Sequence, residues 1–218
     1  MILYKLTNAR RQTGLSAHAK KTTWYKGFRP PRLDGNGPVC SGHWYHAYSS
    51  PLLAVLLDPI HGDFGEGRRC YRVKVNEADV GDLDSGLKFG FKTGLVLDEV
   101  PLPEVTLVQK IAFGILCSLK SPQPGKYFYW APDWLSGKNR SWESAEAVRE
   151  SAARTAWAMV DAAWAEAPAT RAEAVAVAAE EESAAIAAEV AAEAAEKTGK
   201  RLDLQALAEK AMKVEEKP

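Results

Sequence analysis

Cys40, His43 and His46 stand at Cys-x2-His-x2-His spacing, with His61 and Cys70 further along the chain. Thiolates and imidazoles at such intervals are zinc-ligand chemistry. The segment's own geometry argues against it. Residues 43–48 (HWYHAY) have the composition of a strand, which would point His43 and His46 to opposite faces. Cys40 and His46 would share a face but stand about 20 Å apart at roughly 3.3 Å per residue. A core histidine and a buried thiol are therefore expected here, and no metal. His46 keeps a second possibility. It closes the aromatic strand just before Ser50 and Pro51, which read as the cap and first position of a helix. Anions bind at such helix starts, and an imidazole there could hold a phosphate or act as a general base.

Other chemistry is thinner. Glu99 and Glu104 are candidate carboxylates, but nothing pairs them with a particular group. The glycine-rich stretch 60–68 (IHGDFGEGR) lacks the terminal Lys-Ser/Thr of a phosphate-cradling loop. No serine elbow, His-Glu-x-x-His or dinucleotide glycine motif is present.

The segment Thr22–Arg32 (TTWYKGFRPPR) interleaves rings and cations. Trp24, Tyr25 and Phe28 could stack on bases while Lys26, Arg29 and Arg32 meet phosphates. Lys20 and Lys21 precede it, and Tyr48 follows on the aromatic strand. The first 33 residues carry eight Lys/Arg, and no acid appears before Asp34. Residues 1–141 hold 19 basic and 12 acidic side chains, and residues 142–218 hold 9 and 16. That asymmetry suggests a polyanion partner for a basic head, or an acidic tail docked on it.

The elements that must carry these residues follow from periodicity. Ile2–Thr7 is β-branched and aromatic and reads as a strand. In Cys70–Val75, Tyr71, Val73 and Val75 alternate with Arg72 and Lys74, the pattern of a half-exposed strand. Residues 87–91 and 95–100 are further strands. A short helix over 51–58 is apolar nearly all round, and Pro59 should stop it. Residues 103–120 carry Val108, Ile111, Ala112, Ile115, Leu116 and Leu119 on one stripe of a helix. Residues 121–137, with three prolines, read as a seam. Beyond it lie three helical segments, the first with Trp157, Val160 and Trp164 on one face. The second is mostly Ala and Glu, so it should bury little area and stand as a solvated arm. The third is capped by Asp203. The expected fold is α+β: a head over 1–141 built on a small mixed sheet with two packed helices, then an Ala-rich helical tail over 142–218.

Hydrophobic residues at 46% and charged residues at 26% are globular proportions. Three cysteines without regular spacing argue against a disulfide scaffold. No apolar run approaches the roughly 18 residues of a membrane span. These features place the chain in a reducing cytoplasm.

The run Cys40-x-Gly42-x-x-x-His46-Ala47-Tyr48-x-x-Pro51-Leu52, then the strand Tyr71–Val75, Asp82, Asp84 and Lys88, resembles a known pattern. It is similar to a small domain of unknown function common in bacteriophage and prophage genomes. That pattern is a Cys-x-x-Gly-Phe-His-Ala strand, a Pro-Leu helix and a strand ending in a Gly-Asp turn. The likeness covers roughly residues 1–120; this chain departs in carrying His43 and one residue fewer between Cys40 and Gly42. It implies a phage or mobile-element origin in a bacterial host cell and a shared fold, but no reaction. The order Tyr4, His46 or Tyr48, Glu99 is similar to that of ADP-ribosyltransferase folds, which would imply NAD as a cofactor with His46 and Glu99 in the site. Three functions are thus expected in turn: an accessory binding module for a phosphate-rich ligand, nucleic acid or host protein, without cofactor; an NAD-using transferase; or a scaffold. Oligomeric state is left open.

Overall fold

The computed structural model describes residues 1–14, 21–39, 41–62, 64–120, 126–145, 147 and 181–216. Lys20, Cys40 and the Trp157–Val160–Trp164 stripe lie outside them. The fold is α+β, and its residues group into two compact units, Met1–Glu104 and Val105–Pro218. The division falls well before residue 141, because the helix after Glu104 packs with the C-terminal helices. It also softens the charge asymmetry. The first unit holds 14 basic and 11 acidic residues, the second 14 and 17.

The first unit opens with β1 (Ile2–Thr7), followed by the short pair β2 (Gln12–Thr13) and β3 (Thr22–Thr23). Then come β4 (Tyr45–Ala47), α1 (Pro51–His61), β5 (Arg69–Lys74), β6 (Val80–Asp84), β7 (Lys88–Phe91) and β8 (Leu95–Val100). The three-stranded sheets run β1-β5-β8 and β4-β7-β6, and every pairing among the described strands is antiparallel rather than mixed. Tyr4 and Tyr48 join them by exchanging two backbone hydrogen bonds of 2.9 Å.

Strand alternation decides what is buried. Leu3, Val73 and Val96 face inward with Tyr71, Val75, Ala47 and Phe91, around a fully buried Trp24. Trp24 meets Phe28, Tyr45 and Phe91 edge-on at 5.5–6.2 Å and donates its indole N–H to Thr13 Oγ1 at 2.9 Å. A ring expected to offer itself to bases is thus the centre of the core, where a side chain of its size contributes most. Trp44 lies on β6 and β7, where a Cβ at Gly81 or Gly90 would meet its indole at 2.8 or 3.1 Å. Those strand glycines are spaces for the ring. β6 itself was not anticipated, because Asp82 and Asp84 read as a turn.

Helix α1 starts as expected. Ser50 accepts the Leu53 N–H at 3.2 Å and Pro51 takes the first turn. It does not stop before Pro59 but runs to His61, and Gly62 N–H then closes on the Asp58 carbonyl at 2.8 Å. A proline in the last turn forfeits one bond where the helix is ending anyway. Ser50→Ala is expected to cost about 1 kcal/mol, roughly 4–8 °C in a unit of this size, read by thermal denaturation.

The second unit contains α2 (Leu107–Ser118), α3 (Lys126–Leu135), α4 (Glu181–Lys197) and α5 (Leu204–Ala211). A capping box starts α2, with Thr106 and Gln109 satisfying each other's backbone N–H groups. Its second half is buried all round, from Ile111 to Ser118, because α4 and α5 both pack on it. α3 falls where a seam was expected. It carries Pro132 within it and turns Tyr127, Trp130 and Trp134 to its buried face, while Phe128 and Tyr129 are exposed. The alanine-rich α4 is no solvated arm: Ala184, Ala185, Ala187, Ala188, Ala191 and Ala192 are buried. Asp203 caps α5 by accepting the Ala206 N–H at 3.0 Å. No described helix is long and apolar enough to cross a membrane.

Candidate functional site

The two described histidines of the Cys-x2-His-x2-His run go to different partners. His43 Nδ1 pairs with Asp34 Oδ1 at 2.8 Å, whereas His46 Nε2 bonds the Val39 carbonyl. Trp44 Nε1 donates to the Gly37 carbonyl at 3.2 Å. The three side chains tie down the loop 34–39. No group of three His, Cys, Asp or Glu among the described residues is placed to hold a metal.

The two catalytic candidates sit apart. Glu99, on β8, accepts both Arg69 Nη1 contacts at 3.0 and 3.1 Å and the Tyr71 hydroxyl at 3.2 Å. Burial, with Glu99 beside it, pushes the Tyr71 phenol up and keeps it a donor. Glu99 and Tyr71 are direct partners across β8 and β5, so they share a face with the inward-facing core. His46 follows the opposite parity to its neighbour Ala47, which belongs to that core. Three strand steps also separate β8 from β4, about 14 Å at 4.8 Å each. Glu99 is thus tied to Arg69 and Tyr71, and His46 to the Val39 carbonyl. Tyr48 is 5% exposed, and burial pushes its phenol far up. It is a core residue and not a surface ligand. Cys70 and Cys117 are buried, which pushes the Cys70 thiol up to about 12 and Cys117 likewise upward. Such thiols are poor nucleophiles.

The basic segment divides by burial and pairing. Trp24 is in the core. Arg32 is neutralised by Asp79. Tyr25 is half exposed, tilted on Phe28 with centroids 5.0 Å apart. Lys21, Lys26 and Arg29 are exposed. Residues 27–28 run beside β8 through Gly27 N–H to Val96 O at 2.8 Å and Val96 N–H to Phe28 O at 2.9 Å. That pairing carries Arg29 to the end of the sheet where β5 finishes.

A cleft of about 560 Å³ opens there. The consecutive residues Lys74, Val75, Asn76 and Glu77 supply one wall, and Leu95 of β8, Arg29 and Met1 also line it. The wall is held in place by Val75 N–H to Met1 O at 3.0 Å and Met1 N to Val75 O at 2.8 Å. Asn76 points its Oδ1 at the Ala78 N–H, which begins a 3-10 turn over Glu77–Asp79. The charges are arranged unevenly. Arg32, Arg68, Arg69 and Arg72 each pair with a carboxylate. Arg29 and Lys74 make no ion pair among the described residues. Two cations without an ion pair among the described residues, beside the Asn76 amide and a single carboxylate at Glu77, can meet an oxyanion, and the opening has the size of a small ligand. Of these residues the sequence marks Arg29 as a phosphate ligand and Lys74 only as part of the exposed side of β5. Comparison of the chain with known protein families, curated proteins and solved structures finds no match.

Proposed function

We propose that the chain is a non-enzymatic binding module, an accessory protein of phage or mobile-element type acting in a bacterial cytoplasm. Its first unit holds a phosphate-bearing ligand, and nucleic acid is the partner that best suits it. The supporting observation is the pair Arg29 and Lys74, without an ion pair among the described residues, on one cleft of about 560 Å³ whose lining includes a single carboxylate, Glu77, while Arg32, Arg68, Arg69 and Arg72 are neutralised. The phage-type origin rests on the resemblance over roughly residues 1–120. The transferase reading, which needs NAD beside His46 and Glu99, is the alternative.

Phosphate contacts release counterions, so affinity must fall with salt. Fluorescence anisotropy of a labelled single-stranded oligonucleotide, titrated at several salt concentrations, is the test. Arg29→Gln with Lys74→Gln is expected to weaken binding and to flatten the log–log salt slope by about 1.4, two contacts at roughly 0.7 each. Binding that ignores salt, or a double variant that binds as the parent does, would reject the proposal.

A further inference from the structure

The same alternation that builds the core leaves the reverse side of β1 and β5 in water beside the cleft. Ile2, Tyr4, Arg72 and Lys74 occupy it. Ile2 is 40% exposed, Tyr4 is partly exposed and Lys74 is exposed. Arg72 and Asp98 face each other at the centre, in two contacts of 2.7 and 2.6 Å, with side chains 43% and 39% exposed. Further along, at Leu6 and Cys70, this parity is buried. The open portion therefore lies at the cleft end of the two strands, and Lys74 belongs to both.

We propose that this open face of β1 and β5 is a track for single-stranded nucleic acid, one base stacking on Tyr4 and the flanking phosphates meeting Lys74 and Arg29. The inference rests on the phosphate reading of the cleft and adds which polymer it takes. Tyr4 pairs directly with Arg72, so Lys74 is its diagonal neighbour, roughly 7–8 Å away and within reach of the adjoining phosphate. The bidentate Arg72–Asp98 pair leaves a locally neutral surface beside the ring. Asp98 is compensated by Arg72, and at the cleft end Lys74 and Arg29 outnumber the exposed carboxylate of Glu77, which lines the same opening. A duplex hides its bases in its own stack and could use only the cations; an unpaired base can use the ring.

The test is anisotropy with a labelled ten-nucleotide oligothymidylate, alone and annealed to its complement, with inorganic tripolyphosphate as competitor. The full chain is expected to prefer the single strand by about tenfold. Tyr4→Leu should weaken single-strand binding by about tenfold and leave displacement by tripolyphosphate unchanged. Lys74→Gln should weaken both. Photocrosslinking of a 5-iodouracil oligonucleotide to the parent protein, mapped by mass spectrometry, does not depend on any variant folding and is expected to label Tyr4. Equal affinity in Tyr4→Leu, or crosslinks on other segments, would overturn the track while tripolyphosphate binding kept the cleft reading alive. Failure of both oligonucleotide and tripolyphosphate to bind in a salt-sensitive way would overturn both.

Discussion

Lys5→Met is expected to stabilise the first unit by about 2 kcal/mol at pH 7. Lys5 is only 7% exposed, on the inward side of β1, with its ammonium 5.5 Å from the centre of the Trp24 ring. Burial lowers its pKa from 10.5 to about 8, against the smaller upward pull of Cys70 and Asp58, with Lys88 adding to the lowering. A drop of that size is worth about 3 kcal/mol, and loss of the cation–ring contact returns about 1. The sign of the pH dependence follows. Between pH 8 and 10.5 the unfolded chain binds the proton that the folded chain has released, so this residue's contribution to stability rises with pH. Below pH 8 the whole cost is present. Cys70 acts the other way above its ordinary range, because its raised pKa makes the folded state keep a proton the unfolded state loses. The quantity to measure is therefore the difference between parent and variant in urea unfolding. It should be largest at pH 7 and close to zero near pH 10.5. A destabilised variant, or a gap that widens with pH, would mean that the lysine charge is compensated in the fold.

Gly114→Leu is expected to cost the second unit about 3 kcal/mol. Helices α2 and α4 meet backbone to backbone at this residue: an added Cβ would lie 2.8 Å from the Ala184 carbonyl oxygen and 2.9 Å from its Cα. Backbone atoms cannot swing aside as a side chain can, so the helices must part and the buried alanine face of α4 loses its contacts. Even Gly114→Ala should lose about 1 kcal/mol, although alanine favours a helix by about that much over glycine. The measurement is thermal unfolding followed by circular dichroism. A raised midpoint in Gly114→Ala would show that α2 and α4 are not in such close contact.

Regular alternation and caps were legible in the residues themselves. Tyr71, Val73 and Val75 turned inward, Ser50 and Pro51 opened a helix, and Asp203 opened another, because each signal is local. What failed to show depended on partners far along the chain. The alanines of α4 looked too small to pack, yet small side chains are what let it approach Gly114 so closely. Pro132 hid α3, although Tyr127, Trp130 and Trp134 already had helical spacing. Trp24 looked like a platform because its neighbours are cations, but its ring is enclosed by Tyr45 and Phe91. The cleft was invisible for the same reason. It exists because Met1 pairs with Val75 and Phe28 pairs with Val96, contacts that bring Arg29 and Lys74 to one opening.

The most direct test of the phosphate-binding cleft is to watch it residue by residue. Backbone amide shifts of the isotopically labelled full chain would be followed while inorganic tripolyphosphate is added, at low salt and again at high salt. The account predicts that Arg29, Lys74, Asn76, Glu77 and Leu95 shift together at low salt and that the effect fades at high salt. Shifts centred on His46 or Glu99, or none along the cleft, would contradict it.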